Sequence, residues 1–267
     1  MTMTGGGSVT DGKYSHAWQW SLPERKRNSR RGGTGSSSQT VSSITYSKRL
    51  DAMFQAVHKV NGEGIPFKLW ISYKSASKPS VTAIGNDLAY LVRQYGNDPA
   101  YDHTYSSRPV LLWTGSRKYS RADVATISNR FRSSFFIVGD ETQSTWADGR
   151  SAYLDGDSYY WSSQNPYTNP QSGSQVKALG DQVHAAHKLW FAPFAPGFDS
   201  SLTGHSACTP RDGTATLSRI WSMNAQSRPD AWFGISWNEF VENTYLEPSA
   251  ALGTSALDAL RLLIASQ

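Results

Sequence analysis

Two glutamates three residues apart, Glu239 and Glu242, follow an apolar run near the C-terminal end of the chain. Hydrolysis of a glycosidic bond requires such a pair: a protonated carboxyl that assists the leaving oxygen, and an ionised carboxylate that takes a proton or stabilises positive charge. If the chain turns helically after Trp237, residues i and i+3 share a face, and the two carboxyls move each other's pKa values apart. The alternative for either acid is a structural role, as a helix cap or as the partner of an arginine.

Short apolar segments alternate with amphipathic ones from Tyr46 onwards, which is typical of parallel strands covered by helices. Strands are predicted over 67–73, 109–113, 134–138, 158–161, 188–193 and 231–237. Helices are predicted over 50–60, 81–95, 121–131, 176–187, 214–224 and 255–265. No glycine-rich phosphate loop follows a strand, so a closed (β/α)8 TIM-like barrel is favoured over an open doubly wound sheet. A full barrel has eight strands, so we expect a barrel that lacks its first one or two β/α units.

The N-terminal segment 1–44 differs from the rest in composition. It is rich in Gly, Ser, Thr and Arg, which predicts a disordered basic segment ahead of a barrel domain at 45–267. Residues 1–40 hold six basic and two acidic side chains, so they carry +4 of the net charge of +5. We therefore expect no nucleic-acid partner for the folded body. Binding of a polyanion through the cluster of basic residues at 25–31 is a separate hypothesis about function.

The overall composition limits the other classes of function. There is one cysteine, Cys208, so no intramolecular disulfide can form. No apolar run approaches about 18 residues, so no membrane span is expected, and the N-terminus lacks the apolar stretch of a signal peptide. No cluster of residues has the spacing of a metal site, and we expect a monomer without metal or cofactor. Aromatic residues make up 12% of the chain, and their flat faces suit both a core and the C–H faces of sugars.

Acids and aromatic rings recur where the predicted strands end. In a parallel β/α barrel the active site lies at these carboxyl ends, so these side chains are candidates for binding substrate. For Asp140 the alternative is capping of the following helix. The candidates are Asp140, Tyr160, Trp161, Asp199, Trp237, Asn238 and Tyr245.

The segment Trp237-Asn-Glu-Phe-Val-Glu-Asn-Thr-Tyr-Leu-Glu-Pro248 resembles the Asn-Glu-Trp-His-Glu-Gly-Thr-Gln-Ile-Glu-Pro signature of the endo-α-mannosidases of glycoside hydrolase family 99. It is also similar to the related family 71 barrel enzymes, which act on α-1,3-glucan. The resemblance extends more loosely over 46–267, and Val241, Asn243 and Tyr245 depart from the signature's His, Gly and Gln.

This resemblance implies a (β/α)8 barrel that cleaves α-linked glycans from within a chain. It implies that Glu239 is the base acting on the sugar's own 2-hydroxyl, through an epoxide-like intermediate, and that Glu242 is the general acid. It places Asn238 near the sugar, and it implies an extracellular location. We therefore expect an endo-acting glycoside hydrolase with a carbohydrate substrate, and the alternative is a non-catalytic glycan-binding barrel. The glycan, its linkage and the stereochemical outcome stay open.

Overall fold

The computed structural model of the protein describes residues 16–18, 41–75, 77–160 and 165–266. The predicted disordered segment lies outside these residues, apart from a strand at His16–Trp18 and the first residues of a helix that begins at Val41. The candidate Trp161 also lies outside them.

Six parallel strands form a curled half-barrel with helices between consecutive strands. These six are β2 (Ile71–Lys74), β3 (Val110–Thr114), β4 (Phe136–Gly139), β5 (Gly156–Asp157), β6 (Leu189–Phe194) and β9 (Ala231–Gly234). Three further strands are β1 (His16–Trp18), β7 (Phe198–Asp199) and β8 (Cys208–Thr209). The helices are α1 (Val41–Gly62), α2 (Val81–Tyr95), α3 (Arg121–Phe131), α4 (Gln143–Ala147), α5 (Ser172–Ala185), α6 (Ala215–Ala225) and α7 (Ser255–Ala265).

The order of strands across the sheet is β1-β9-β6-β5-β4-β3-β2. The short β1 thus adds a seventh parallel strand beside β9, at the opposite edge from β2. Strands β7 and β8 form a separate antiparallel hairpin between β6 and α6. Since all the strands of the main sheet are parallel, their carboxyl ends lie at one edge, and the loops that follow them form a common mouth.

Local sequence signals explain where the helices begin and which face they bury. Ser120 and Asp123 form a capping box at the start of α3, in which each side chain satisfies the other's backbone N–H. Ser80 caps α2 by accepting a hydrogen bond from the amide of Ala83. Both helices then bury apolar side chains at intervals of three and four residues against the sheet.

The strands separate two cores because successive side chains point to opposite faces. Leu111 and Trp113 of β3 belong to the larger core, between the sheet and the helices. Val110 and Leu112 belong to a smaller core on the concave face. In the larger core, Trp221 of α6 stacks on Trp232 of β9 with ring centroids 3.7 Å apart, which fixes the position of the last strand.

The predicted alternation of strands and helices is confirmed. The first predicted strand, 67–73, is found as β2 at Ile71–Lys74, with only an isolated bridge at Leu69 before it. Two later strands end before their predicted ends for identifiable reasons. The fourth strand is predicted at 158–161, whereas β5 covers Gly156–Asp157, because the amide of Tyr160 donates to the carboxylate of Asp140. The last strand ends at Gly234 and not at Trp237, because the amide of Ser236 donates to the carbonyl of Thr244. Both segments leave the sheet at its carboxyl edge. Among the described residues, no helix is long and apolar enough to cross a membrane.

Candidate functional site

The loop after β9 carries both predicted acids on one tight turn. Phe240 to Glu242 form a single 3₁₀ turn, and the amide of Asn243 closes it by donating to the carbonyl of Phe240. Glu239 lies just before this turn with φ −79° and ψ 72°, and the amide of Phe240 donates to the carbonyl of Asn238 around it. These are the dihedral angles and the hydrogen bond of an inverse γ-turn. The two turns reverse the chain and return residue 242 towards residue 239.

Buried hydroxyl groups hold this loop against the end of β9. The hydroxyl of Ser236 accepts a hydrogen bond from the amide of Glu239 at 2.9 Å and lies 2.9 Å from the hydroxyl of Thr244. The amide of Leu246 donates to the carbonyl of Ser236, so the loop returns and pairs with its own start. Because Ser236 and Thr244 are buried, these bonds are shielded from water, and they fix the backbone on which Glu239 sits.

Both acids are half-buried, and Glu242 borders open space. Glu242 lines a pocket of about 790 Å³, opposite the hairpin made by β7 and β8. The turn at Ser201–Thr203 packs against the turn at Phe240–Glu242. The pair therefore lies at the mouth of the half-barrel and not in its core.

Three further candidates lie on the same loop. The side-chain oxygen of Asn238 is buried and accepts no hydrogen bond from the described part of the chain. A buried acceptor of this kind is favourable only when a donor reaches it. The ring of Tyr245 lies 4.4 Å from the ring of Phe240, and Trp237 packs half-buried against the larger core. Thus Asn238 and Tyr245 flank the acids, while Trp237 anchors the loop.

Arg211 connects the hairpin to the acid-bearing loop. Its guanidinium donates to the carbonyl of Asn243 at 3.2 Å and to that of Tyr245 at 2.9 Å, and it lies 4.7 Å from the Tyr245 ring. Burial lowers the pKa of this guanidinium. A Cβ atom on Gly197 would lie 2.6 Å from Cγ of Arg211, so only glycine leaves room for the arginine side chain.

Asp140 follows β4 at the same edge of the sheet, three strands away from β9. Its side chain is 1% exposed, forms an ion pair with Arg117, and accepts hydrogen bonds from the amides of Gly115 at 2.7 Å and Tyr160 at 2.9 Å. Burial raises its pKa to about 6, although Arg117 and the two amides favour the carboxylate. Helix α4 is capped by Thr142 and not by Asp140. Asp140 therefore organises the loops after β3 and β5.

The two other candidates in the described part of the chain lie on opposite sides of the mouth. Tyr160 packs against the concave core, with its ring 6.2 Å from that of Phe233. Asp199 lies in β7 and accepts a hydrogen bond from the amide of Ser201 at 2.8 Å, and hydrogen bonds from Ser201 lower its pKa. Asp199 thus lies on the hairpin that faces Glu242, whereas Tyr160 and Asp140 lie together on the far side.

A second group of buried carboxylates lies beside Asp140. Glu141 accepts hydrogen bonds from Ser116 at 2.6 Å and from Arg150 at 3.1 Å, and its amide donates to Asp157. Burial, together with the neighbouring carboxylates Glu141 and Asp140, raises the pKa of Asp157 well above its usual range. Within the ranges that the structure describes, no group of three His, Cys, Asp or Glu side chains is arranged to hold a metal ion.

Sequence reasoning did not identify several residues of this site: His205, which lines the pocket, Arg211, Ser236, Thr244 and Arg117. Ser236 and Thr244 carry no sequence signal, since polar residues after a strand are common. The Gly197 and Arg211 pair is likewise visible only once the hairpin has folded back.

Comparison with known proteins relates this architecture to a group of solved structures. One is the family 99 endo-α-mannosidase from Bacteroides thetaiotaomicron, with a TM-score of 0.60, 18% identity, and coverage of 74% of this chain and 68% of that chain. A second is the same type of enzyme from that organism in complex with bis-tris-propane, with a TM-score of 0.60, 19% identity, and coverage of 74% and 72%. No family model matches the sequence, and no curated protein matches it. The fold relationship to family 99 enzymes is therefore supported by structure alone.

Proposed function

We propose that the protein is a glycoside hydrolase that cleaves an α-linked polysaccharide or glycan from within the chain, with Glu239 and Glu242 as its carboxylate pair. One observation carries this proposal: both glutamates lie on consecutive tight turns at the carboxyl edge of a parallel half-barrel, and Glu242 lines an open pocket. The fold likeness to solved endo-α-mannosidases adds support for this class of chemistry.

The two acids take different parts in the reaction. Glu242, protonated, donates its proton to the glycosidic oxygen as the bond from that oxygen to C1 breaks. Glu239, ionised, takes the proton of the group that attacks C1. The resemblance implies that this group is the sugar's own 2-hydroxyl. Water then attacks C1 and gives a proton to the carboxylate of Glu242, while Glu239 returns its proton to the 2-oxygen as the epoxide opens. Without that participation, the attacking group is water itself.

The contacts around Glu239 and Glu242 suit their roles as base and acid. The amide of Glu239 is tied to the buried hydroxyl of Ser236, which restricts the position of the base. The side-chain oxygen of Asn238 is a buried acceptor without a partner among the described residues, so a sugar hydroxyl can donate to it once the side chain turns towards the mouth. The half-buried setting of Glu242 at a pocket wall leaves its carboxyl accessible to a leaving oxygen.

The test is hydrolysis of α-mannan, α-1,3-glucan and related oligosaccharides by the full chain and by Glu239→Gln and Glu242→Gln. We expect each substitution to lower the rate by about 10²–10⁴. Glu63→Gln, at an exposed turn after α1, is the matched control and leaves the rate unchanged. Glycosyl fluorides distinguish the acid from the base, because fluoride departs without needing a proton. On these substrates we expect Glu242→Gln to retain most of its activity and Glu239→Gln to lose it.

The outcomes distinguish this proposal from its alternative. An active wild-type protein whose two variants keep full activity would show that the carboxylate pair has been assigned wrongly. Calorimetric binding of these oligosaccharides, with no product after long incubation, would instead identify a non-catalytic glycan-binding barrel.

A further inference from the structure

The wall of the pocket opposite Glu242 is formed almost entirely by one short hairpin. The pocket is lined by Phe198, Ser200, Thr203, Gly204, His205, Ser206, Ala207 and Glu242. All of these except Glu242 lie between β7 and β8 or at their ends. This pocket is open to solvent, and its volume of about 790 Å³ falls within the roughly 300–1,000 Å³ of small-molecule sites, so it is large enough for a ligand.

Hydrogen bonds within the hairpin fix its shape. The amide and the hydroxyl of Ser200 both donate to the carbonyl of Ala207, at 3.0 and 2.9 Å. The hydroxyl of Thr203 donates to the carbonyl of Ser200 at 2.8 Å, and Gly204 turns the chain with φ 83°. The hydroxyls of Ser200 and Thr203 are thus engaged in holding the loop.

The side chains of His205 and Ser206 are exposed, and they form no hydrogen bond with any other described residue. An imidazole has one nitrogen that donates and one that accepts when it is neutral, so it matches sugar hydroxyls, which do both. Of the polar side chains on this wall, those two are the ones that are available to a ligand.

Apolar side chains continue this wall at its rim. Leu202 is 78% exposed, Phe240 is 47% exposed, and Val241 is 45% exposed. Leu202 lies on the turn that packs against the turn carrying Phe240 and Val241, so the three residues belong to adjoining turns beside Glu242. Polar groups within a pocket and apolar groups at its edge match the alternation of hydroxyls and C–H faces on a sugar ring.

We propose that the hairpin Phe198–Thr209 is the subsite for the sugar on the leaving-group side of the cleaved bond, and that His205 determines which sugar this subsite accepts. The inference rests on the proposed function in one respect: it takes Glu242 as the acid. The group that receives the proton of Glu242 is the leaving oxygen, so the sugar attached to that oxygen occupies the pocket that Glu242 lines. The hairpin faces that pocket.

The test compares two kinds of substrate in His205→Ala. Oligosaccharides of α-mannan or α-1,3-glucan have a sugar as leaving group, whereas the matching glycosyl fluorides leave this subsite empty. We expect kcat/KM on the oligosaccharide to fall about tenfold, the order expected for a lost hydrogen bond, and kcat/KM on the fluoride to stay unchanged. His205→Gln, which keeps a donor and an acceptor, recovers part of the loss. His58→Ala is the control, since His58 is also exposed but pairs with Asp98, 40 residues along the chain, and does not line this pocket.

The results separate failure of this inference from failure of the proposed function. If the wild-type protein hydrolyses both substrates and His205→Ala changes neither, or lowers both equally, the subsite is refuted while the hydrolase activity stands. If the wild-type protein hydrolyses neither, the proposed function fails, and calorimetry with the same oligosaccharides decides about the pocket. If His205→Ala weakens binding of the oligosaccharides, the pocket is retained as a sugar site. If the oligosaccharides do not bind, or bind equally well to His205→Ala, the pocket is not a sugar site.

Discussion

Ser236→Ala tests whether a buried hydroxyl group positions the base. The hydroxyl of Ser236 is shared between the amide of Glu239 and the hydroxyl of Thr244, each at 2.9 Å. The substitution leaves both of these partners without their hydrogen bond. An unsatisfied buried group costs about 1–3 kcal/mol, and the amide of Glu239, which is only partly buried, costs less than the hydroxyl of Thr244. We therefore expect the free energy of unfolding to fall by about 2–4 kcal/mol.

The same change loosens the turn on which Glu239 sits, so we expect kcat on an oligosaccharide to fall about 10- to 100-fold. Thr244→Val removes the other half of the hydroxyl pair without touching the amide of Glu239. The double variant then has no orphaned hydroxyl, and we expect it to be more stable than the sum of the two single effects predicts, by about 1–2 kcal/mol.

Urea denaturation and steady-state kinetics measure the two effects separately. Ser120→Ala is the matched control: it removes a capping hydroxyl from α3, which costs about 1 kcal/mol, and leaves kcat unchanged. If Ser236→Ala were no less stable than the wild-type protein, or if it lost stability but kept full kcat, the reasoning that links this hydroxyl to the base would be refuted.

Burial raises the pKa of Asp140 from its ordinary value of 3.8 to about 6, so its stabilising contribution is complete below about pH 4 and is lost as pH rises through 6. The unfolding free energy of the wild-type protein, relative to Asp140→Asn, should fall by about 3 kcal/mol across that range, and a difference independent of pH would contradict this. Gly197→Ala places a methyl group against the side chain of Arg211, so thermal denaturation should show a loss of about 1–3 kcal/mol, with lower kcat; an unchanged melting temperature would mean that the arginine moves freely aside. Trp221→Ala removes the ring stacked on Trp232 and should cost about 3–5 kcal/mol in urea denaturation, whereas a loss below about 1 kcal/mol would show that the core refills the space.

The helices were the most predictable part of the fold. The expected spans 81–95, 121–131 and 255–265 coincide with α2, α3 and α7, because apolar spacing and end signals act within one segment. Strand ends were less predictable. Tyr160 and Ser236 both leave the sheet for partners that lie 20 and 8 residues away, and no local pattern reports such partners.

The candidate site was predictable in part. The sequence by itself places Glu239 and Glu242 together, with Asn238 and Tyr245, because a turn after the last strand keeps near neighbours close. It also indicates that Asp140 and Asp199 lie at the carboxyl edge, since parallel strands end there.

Only the tertiary structure decided what surrounds these acids. Arg211 reaches the carbonyl of Asn243, 32 residues away, and Arg117 reaches Asp140, 23 residues away. The curl of the sheet and the return of the hairpin bring His205 to the wall opposite Glu242. Periodicity along a chain reports which face of a segment is buried, but it carries no information about which distant segment covers that face. The positions of the acids could therefore be predicted from the sequence, whereas the residues that contact them could not.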